Sequence, residues 1–424
     1  MLAASAMAQH WDIEKVDSAG WGAAVDMRWH PDGRLFLCYS DTAGVIRLAS
    51  AMDSIWSYED LPQWRAVFPG TQTFDIDARG TIGVSYIGTD RRYCYALKTD
   101  TGWTDIPTAF SATPSSPSLT TLDTAGAPVI TIQVSSEYQL ARLQDTAWVT
   151  TTVGYGYGGT NDYACKALGS TADGAIWGVY RYRYSGPAKI LNLCYLYRFA
   201  VRDSDVSIVS IVGGRNVWVW AASACTDDQD SVHSVYAYEN QLYETALYLD
   251  HGIIDTATAE RTAVKFDSLD RPQVAYVSSD KILMYRYRAS GVWHIFNLQT
   301  TGVTALNLAV DRNSEPVIAY TTSEGVFVAY GVGVTGQSER RPPTAFGPRP
   351  TASVVRNVLF LTGASSRKPQ ATSLLLDAAG RRALDLHPGA NDVSALAPGV
   401  YFVQEKPQAS SHKPQAFRKI VIAR

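Results

Sequence analysis

Catalysis or metal binding in this chain would rest on few side chains. The seven histidines (10, 30, 233, 251, 294, 387 and 412) include no pair at the spacing that lets two imidazoles reach one zinc ion. No Gly-x-Ser-x-Gly elbow presents a nucleophile. Gly154-Tyr-Gly-Tyr-Gly-Gly159 is glycine-rich, but no lysine follows it, so it reads as a turn-rich loop and not a phosphate cradle. Asp227-Asp228-Gln-Asp230 places three carboxylates in four residues, the donor type that calcium takes. It lacks the glycine and distal glutamate of a calcium loop, so a solvated acidic loop is expected and no cofactor is assigned. The richest ligand-type chemistry lies in Arg181-Tyr182-Arg183-Tyr184, Tyr195-Leu-Tyr-Arg198 and Trp218-Val-Trp220. Aromatic faces stack on sugar rings, and arginine forks suit the carboxylates of acidic sugars. Arg181, Tyr182, Arg183, Tyr184, Trp218 and Trp220 are therefore the candidate ligand residues, although a strand with one solvated face shows the same alternation.

What must position these groups is a large, apolar chain. Of 424 residues, 46% are hydrophobic and 18% charged, which gives ample material for a core and excludes a disordered or fibrous protein. No run of 18 apolar residues suits a membrane-spanning helix. The net charge of −3 argues against a nucleic-acid partner. Charge is unevenly placed: residues 340–424 carry 13 Lys+Arg against 4 Asp+Glu, leaving 24 against 36 before them. All 11 Trp and all five Cys also precede residue 340, so two domains of different make-up are expected.

A repeat runs through the first of them. Its form is Asp-x-x-Gly-x-Pro-x-Ile-Ala-Tyr, clearest in Asp311–Tyr320 and Asp267–Tyr276, then in Asp123–Ile132 and Asp77–Tyr86. Weaker copies end at Tyr39, Tyr180 and Trp220. The anchors 39, 86, 132, 180, 220, 276 and 320 lie 47, 46, 48, 40, 56 and 44 residues apart. In each copy an apolar strand, an aspartate-capped turn, a second strand, a third alternating strand and a fourth opened by Trp56, Trp103, Trp148 or Trp293 make one propeller blade. The expected fold is all-β: a seven-bladed β-propeller over residues 9–335, a Pro/Arg-rich linker at 336–350, and a small Ig-like β-sandwich over 351–424.

The last copy lacks a tryptophan strand, while an orphan one, Trp11-Asp-Ile-Glu-Lys-Val16, opens the chain. The N-terminal segment should supply the outer strand of blade 7 and close the ring, leaving no free edge. Before it, Ala6-Met-Ala8 fits an A-x-A signal-peptidase site, and residues 1–8 read as the remnant of a signal peptide, with an exported protein as the consequence. Cys38 and Cys94 sit at strand positions as small core residues. Export permits a disulfide among Cys165, Cys194 and Cys225, and an odd count of five leaves at least one thiol free.

The C-terminal region carries Leu374-Leu-Leu-Asp377-Ala-Ala-Gly380-Arg381, then Gly389-Ala-Asn391, Leu396-Ala-Pro-Gly399-Val-Tyr401 and a terminal Arg418-Lys419-Ile-Val-Ile-Ala-Arg424. This set resembles the type A C-terminal sorting domain of the type IX (Por) secretion system of Bacteroidetes-like bacteria. The resemblance implies that Asp377, Gly380, Arg381, Gly389, Asn391, Leu396, Gly399, Tyr401 and Lys419 form the sorting signal. It also implies a type IX translocon and a sortase as partners, and an extracellular or outer-membrane-surface location. The Pro/Gln/Ser/Lys insert between Lys406 and Ala416 departs from the pattern and lengthens the last hairpin.

Taken together, the residues point to a secreted or surface-attached, monomeric recognition module for a glycan or a protein, with no chemistry of its own. The alternative is an extracellular carbohydrate-active enzyme, a glycoside hydrolase or lyase, with paired carboxylates in the propeller funnel. The sialidase box Ser-x-Asp-x-Gly-x-Thr-Trp is missing, and most aspartates are taken by turns.

Overall fold

Five of the seven repeat turns share one construction. An aspartate at the end of the first strand accepts hydrogen bonds from the backbone N–H groups two and four residues on. Asp77 takes Arg79 and Thr81 at 2.9 and 2.8 Å, and Asp227 takes Gln229 and Ser231 at the same distances. Asp123, Asp267 and Asp311 do likewise. A side chain that satisfies two turn donors reverses the backbone in four residues and lets the flanking apolar strands pair. The fourth turn position is left-handed: Gly80 has φ +87°, while Asp230, Asp270 and Ser314 take that place at +60°, +57° and +65°. His30 and Thr171 occupy the aspartate position in blades 1 and 4.

In the computed structural model these turns join seven four-stranded antiparallel sheets. The structure describes residues 9–18, 24–52, 55–66, 73–99, 102–112, 118–135, 137–155, 160–185, 192–202, 205–215, 219–246, 250–256 and 258–335 of a first unit, Met1–Pro343. Of a second unit, Thr344–Arg424, it describes 353–355, 358–361, 373–377, 381–386, 389–393, 396–404 and 417–422. Blades 1 to 6 span 25–65, 73–106, 120–155, 160–215, 219–255 and 259–297. Each blade's first strand lies against the first strand of the next, and that of blade 7 against that of blade 1, which closes a seven-bladed ring. No helix occurs among the described residues.

Blade 7 combines Ala305–Val310, Pro316–Thr322 and Gly325–Val332 with His10–Asp17, which pairs antiparallel to Gly325–Val332 from His10 opposite Val332 to Asp17 opposite Val326. The orphan tryptophan strand is therefore the closing strand. The repeat tryptophans lean back on the preceding blade. Trp11 meets Tyr285 edge-on at 5.2 Å, Trp103 donates to Glu59 at 2.8 Å, and Trp148 donates to the Pro107 carbonyl at 3.0 Å. Between blades lie apolar clusters, such as Phe36, Leu48, Phe74 and Val84 joining blades 1 and 2. Burial of this kind contributes about 25 cal/mol per Å² of apolar surface, so the blade interfaces contribute to the propeller's stability.

Two details depart from the repeat read in the sequence. The anchor of blade 5 is Tyr236, not Trp220: Val219–Thr226 is that blade's first strand, Asp227–Asp230 its turn and Val232–Tyr238 its second strand. Asp230 in the left-handed conformation does the work of the missing glycine, which hid the copy. Blade 4 differs by longer strands, with Thr160–Ser170, Ile176–Ser185, Asn192–Arg202 and Asp205–Arg215 each of 10 or 11 residues. The stretch 222–233 is strand and turn.

The second unit is also all-β. A five-stranded sheet takes the order Ser353–Val355, Phe417–Ile422, Gly399–Gln404, Ser373–Asp377, Arg382–Leu386, and Val358–Leu361 pairs separately with Gly389–Asp392. The first pair in that order is parallel. Leu375, Leu386, Val393 and Tyr401 form its core, with Leu396 packed against them.

Candidate functional site

The first strands of all seven blades surround a central channel with a cavity of about 450 Å³. Its side chains fall into layers set by their distance from the turn. Arg28, Asp75, Thr121, Cys225 and Lys265 each stand two residues before their turn's first residue, and Asp26, Thr73, Ser223 and Asn307 four before. The period-2 geometry of a strand turns both sets toward the axis.

The two channel carboxylates are fully engaged. Asp26 Oδ1 accepts from Arg28 Nη1 at 2.8 Å and from Asn307 Nδ2 of blade 7 at 2.8 Å, and Oδ2 accepts from the Phe74 N–H of blade 2 at 3.2 Å. Asp75 Oδ1 accepts from Arg28 Nε at 3.3 Å, and Oδ2 from the Thr121 hydroxyl and Leu122 N–H of blade 3 at 2.9 and 3.0 Å. Each aspartate thus ties its strand to the next. A glycosidase needs one carboxyl group free to give a proton and another facing water or sugar. Here both share one guanidinium and hold backbone donors. The arrangement is that of an inter-blade tie.

Across the channel the balance is different. Burial and the charge of Arg28 lower the pKa of Lys265, while burial pushes the Cys225 thiol up to about 12. Cys38, Cys94, Cys194 and Cys225 are free thiols, so neither Cys194 nor Cys225 takes part in the disulfide that export would permit. The side chain of Cys165 lies outside the described residues.

A second cavity, of about 590 Å³, opens where blade 7 meets blade 1, lined by Lys15, Val16, Asp17, Ser18, Arg47, Tyr58 and Asp60. Asp17 ends the closing strand and accepts from the Tyr39 hydroxyl at 2.8 Å and from Arg47 Nη1. Arg47 forks onto Asp60, with Nη2 to Oδ2 at 3.0 Å, and that hydrogen bond lowers the Asp60 pKa. Tyr58 donates to the Val16 carbonyl at 2.7 Å while the residue is 51% exposed. The same trio recurs where blades 5 and 6 meet, as Asp255, Tyr276 and Arg286, but there it is sealed, with Arg286 9% exposed. The anchor tyrosine of the repeat thus gains a role at two junctions: its hydroxyl holds the preceding blade's outer strand.

Of the residues singled out in blades 4 and 5, the structure describes the side chains of Arg181, Tyr182 and Arg183. Tyr182 is 4% exposed and packs with Tyr138 and Leu140 of blade 3, so its ring is core. Arg181 and Arg183 alternate with it on the opposite face of the same strand, both partly exposed. Tyr184 and Trp220 lie in strands with side chains outside the described residues, as does Trp218 altogether. Asp227-Asp228-Gln-Asp230 is the blade 5 turn: Asp227 Oδ2 meets His233 Nε2 at 3.0 Å, and Asp230 accepts from the Ala172 N–H of blade 4 at 3.1 Å. Asp227 is thereby committed to capping and to a histidine. Ala6 and Ala8 lie outside the described residues.

In the second unit Asp377 accepts from the Arg381 N–H at 2.9 Å and from Arg381 Nε at 2.7 Å, closing the Asp-x-x-Gly-Arg turn; Gly380 lies outside the described residues. Tyr401 donates to the Ala397 carbonyl at 2.9 Å, Gly399 opens the same strand, and Asn391 is buried opposite Leu359. Gly389 opens the strand that holds Asn391, and Lys419 lies opposite Phe402.

No protein-family model matches the chain, and no curated protein matches it. Solved structures do. The BP39L lectin from Burkholderia pseudomallei is 11% identical, with a TM-score of 0.52 over 74% of this chain and 96% of that one. AofleA from Arthrobotrys oligospora is 12% identical, with a TM-score of 0.46 over 69% and 90%. A fungal lectin from Aleuria aurantia, a six-bladed β-propeller with a novel fucose recognition mode, is 14% identical, with a TM-score of 0.41 over 65% and 96%. At such identities the likeness to the first is one of fold, and with seven sheets closed in a ring the chain is a seven-bladed β-propeller.

Proposed function

We propose that this propeller is a glycan-binding module and that the open junction of blades 7 and 1 is a sugar site. The observation that carries the reading is the exposed ring of Tyr58 beside the Arg47–Asp60 fork in a cavity of about 590 Å³. An aromatic face takes the C–H face of a sugar ring. Lys15 and Arg47 donate, Asp17 and Asp60 accept, and vicinal hydroxyls need both. Opposite charges balance in this pocket, which favours a neutral sugar. That a lectin shares the fold supports the reading. The engaged state of Asp26 and Asp75 favours binding over hydrolysis in the channel.

A glycan array probed with the full chain tests it. At about 1–2 kcal/mol for a stacked ring, Tyr58→Ala should weaken any bound glycan about tenfold, while Tyr58→Phe keeps the ring and most of the affinity. Arg47→Met should abolish binding. If Arg181→Met or Arg183→Met removes binding and Tyr58→Ala does not, the site lies on blade 4.

The second unit we read as a type IX sorting domain that follows signal-peptide export and delivers the propeller to the cell exterior or the outer-membrane surface. The Asp377–Arg381 turn and the Leu396 and Tyr401 packing support a compact, separately folded signal. Grafting residues 351–424 onto a periplasmic reporter in a type IX-competent host should export it. Retention of the reporter in the periplasm would reject the assignment.

A further inference from the structure

Six outer strands of the ring directly follow their own blade's third strand in the chain, whereas the seventh, His10–Asp17, comes from the far end of the propeller sequence. It can leave Gly325–Val332 without separating any other pair of strands, which makes it the seam of the ring. From His10 to Lys15 the pairing is regular, and the register then shifts before Asp17 meets Val326. Val16 is the extra residue of a bulge, which bends the strand and interrupts the blade 7 ladder. Its side chain is buried among Val25, Leu37 and Val328. The acceptors at this end serve blade 1 instead. The Val16 carbonyl takes the Tyr58 hydroxyl, and the Asp17 carboxylate takes the Tyr39 hydroxyl and Arg47. Arg47 is held on its other side by Asp60. Val16, Asp17, Arg47, Tyr58 and Asp60 also line the cavity of about 590 Å³. One set of groups therefore both fastens the seam and forms the pocket.

We propose that pocket and seam are one coupled device: a sugar seated between blades 7 and 1 locks the closing strand, and opening of the strand releases the sugar. The proposal rests on the glycan reading of this pocket and adds a conformational consequence to it. Lys15, Val16, Asp17 and Ser18 reach the pocket on the N-terminal segment, while Arg47, Tyr58 and Asp60 reach it on blade 1. When the strand leaves, the first half of the lining leaves with it, and the Arg47 guanidinium loses the carboxylate that holds it toward the seam. The open ring then has no complete site. A ligand that binds only the closed form suppresses opening by a factor of one plus the ratio of its concentration to Kd, about elevenfold at ten times Kd. The junction of blades 5 and 6 is the internal comparison. It carries the same trio, but Asp255 there ends a strand that its own blade supplies, and Arg286 is buried.

The test is hydrogen exchange read by mass spectrometry on the full chain, alone and with D-mannose, D-galactose, N-acetyl-D-glucosamine, L-fucose and any glycan that the array identifies. Binding of each is scored by a saturable rise in Tm. A sugar that binds should slow exchange of the His10–Asp17 amides, by about elevenfold at ten times Kd, when reclosing outpaces exchange. It should leave Val292–Asn297, the outer strand of blade 6, unchanged. Without sugar, Arg47→Met should speed exchange of His10–Asp17 about ten- to a hundredfold, the effect of one charge-assisted hydrogen bond. Tyr58→Phe should speed it about three- to tenfold, the effect of one neutral hydrogen bond. A sugar that binds while exchange of His10–Asp17 stays unchanged overturns the coupling and leaves the glycan reading standing. Unchanged exchange in Arg47→Met overturns the fastening of the seam by the pocket. Absence of binding by every sugar tested rejects the glycan reading, and the coupling falls with it.

Discussion

Ring closure by the N-terminal strand makes a prediction that one methyl group can test. Gly325 begins the strand that receives His10–Asp17, at φ +138°. A Cβ there would lie 2.0 Å from the Asp17 carbonyl oxygen and 3.1 Å from its carbon, both backbone atoms of the closing strand. Gly325→Ala therefore carries backbone strain of about 1–3 kcal/mol. It also forces the Asp17 end of the strand away from Val326, at about 1 kcal/mol per hydrogen bond lost. With one such bond lost the sum is about 2–4 kcal/mol. Unfolding entropy of about 2.1 cal/mol/K per residue over about 325 residues is about 0.7 kcal/mol/K, so Tm should fall by about 3–6 °C. Gly291→Ala is the control: its φ is +79° but nothing lies within 4 Å of the added Cβ. It should lower Tm by only about 1–3 °C, from strain alone. Differential scanning calorimetry measures both, and limited proteolysis should release the N-terminal segment faster from Gly325→Ala. Equal shifts in the two variants would refute the packing of the closing strand against Gly325.

Two further outcomes follow from buried polar groups. Burial disfavours the His233 imidazolium, but the Glu244 carboxylate 3.5 Å from Nδ1 and the hydrogen bond to Asp227 outweigh it and raise the pKa, with Arg288 bound to the far side of Glu244. A raised folded pKa stabilises fully below the unfolded value near 6.5 and less as pH rises through the folded pKa. The Tm deficit of His233→Gln should thus be larger at pH 5.5 than at pH 8.5; a constant or reversed deficit would exclude the charged ring. In the channel, Asp75→Ala leaves Arg28 Nε, the Thr121 hydroxyl and the Leu122 N–H without their acceptor, a loss of about 3–5 kcal/mol. Asp90→Ala, in an exposed 3.7 Å pair with Arg92, should change Tm by less than about 1 °C. Comparable melting of the two variants would show that Asp75 is not an inter-blade tie.

Local chemistry repeated often enough to be read directly determined much of this protein. Asp77, Asp123, Asp267 and Asp311 cap their turns through adjacent backbone donors, an interaction contained within five residues and therefore visible without a fold. Seven repeat units, five of them capped in this way, and an orphan strand at Trp11 imposed a closed ring, because an unpaired edge on blade 7 has only one segment left to cover it. Reading failed where the signal moved to another residue type. In blade 5, Asp230 adopts the glycine conformation, so Tyr236 was overlooked as its anchor and the aspartates resembled metal donors.

Only the tertiary structure decided the sites. Asp26, Asp75, Asn307 and Lys265 come from four blades and meet because the ring brings their first strands to one axis. Spacing along the chain carries no trace of that convergence. Tyr182 and Tyr58 make the same point in opposite directions: both look like aromatic ligand groups, yet one is sealed against blade 3 and the other lies open beside Arg47. Which of two alternating faces is buried depends on the neighbouring blade, and the neighbour is fixed by closure of the whole ring.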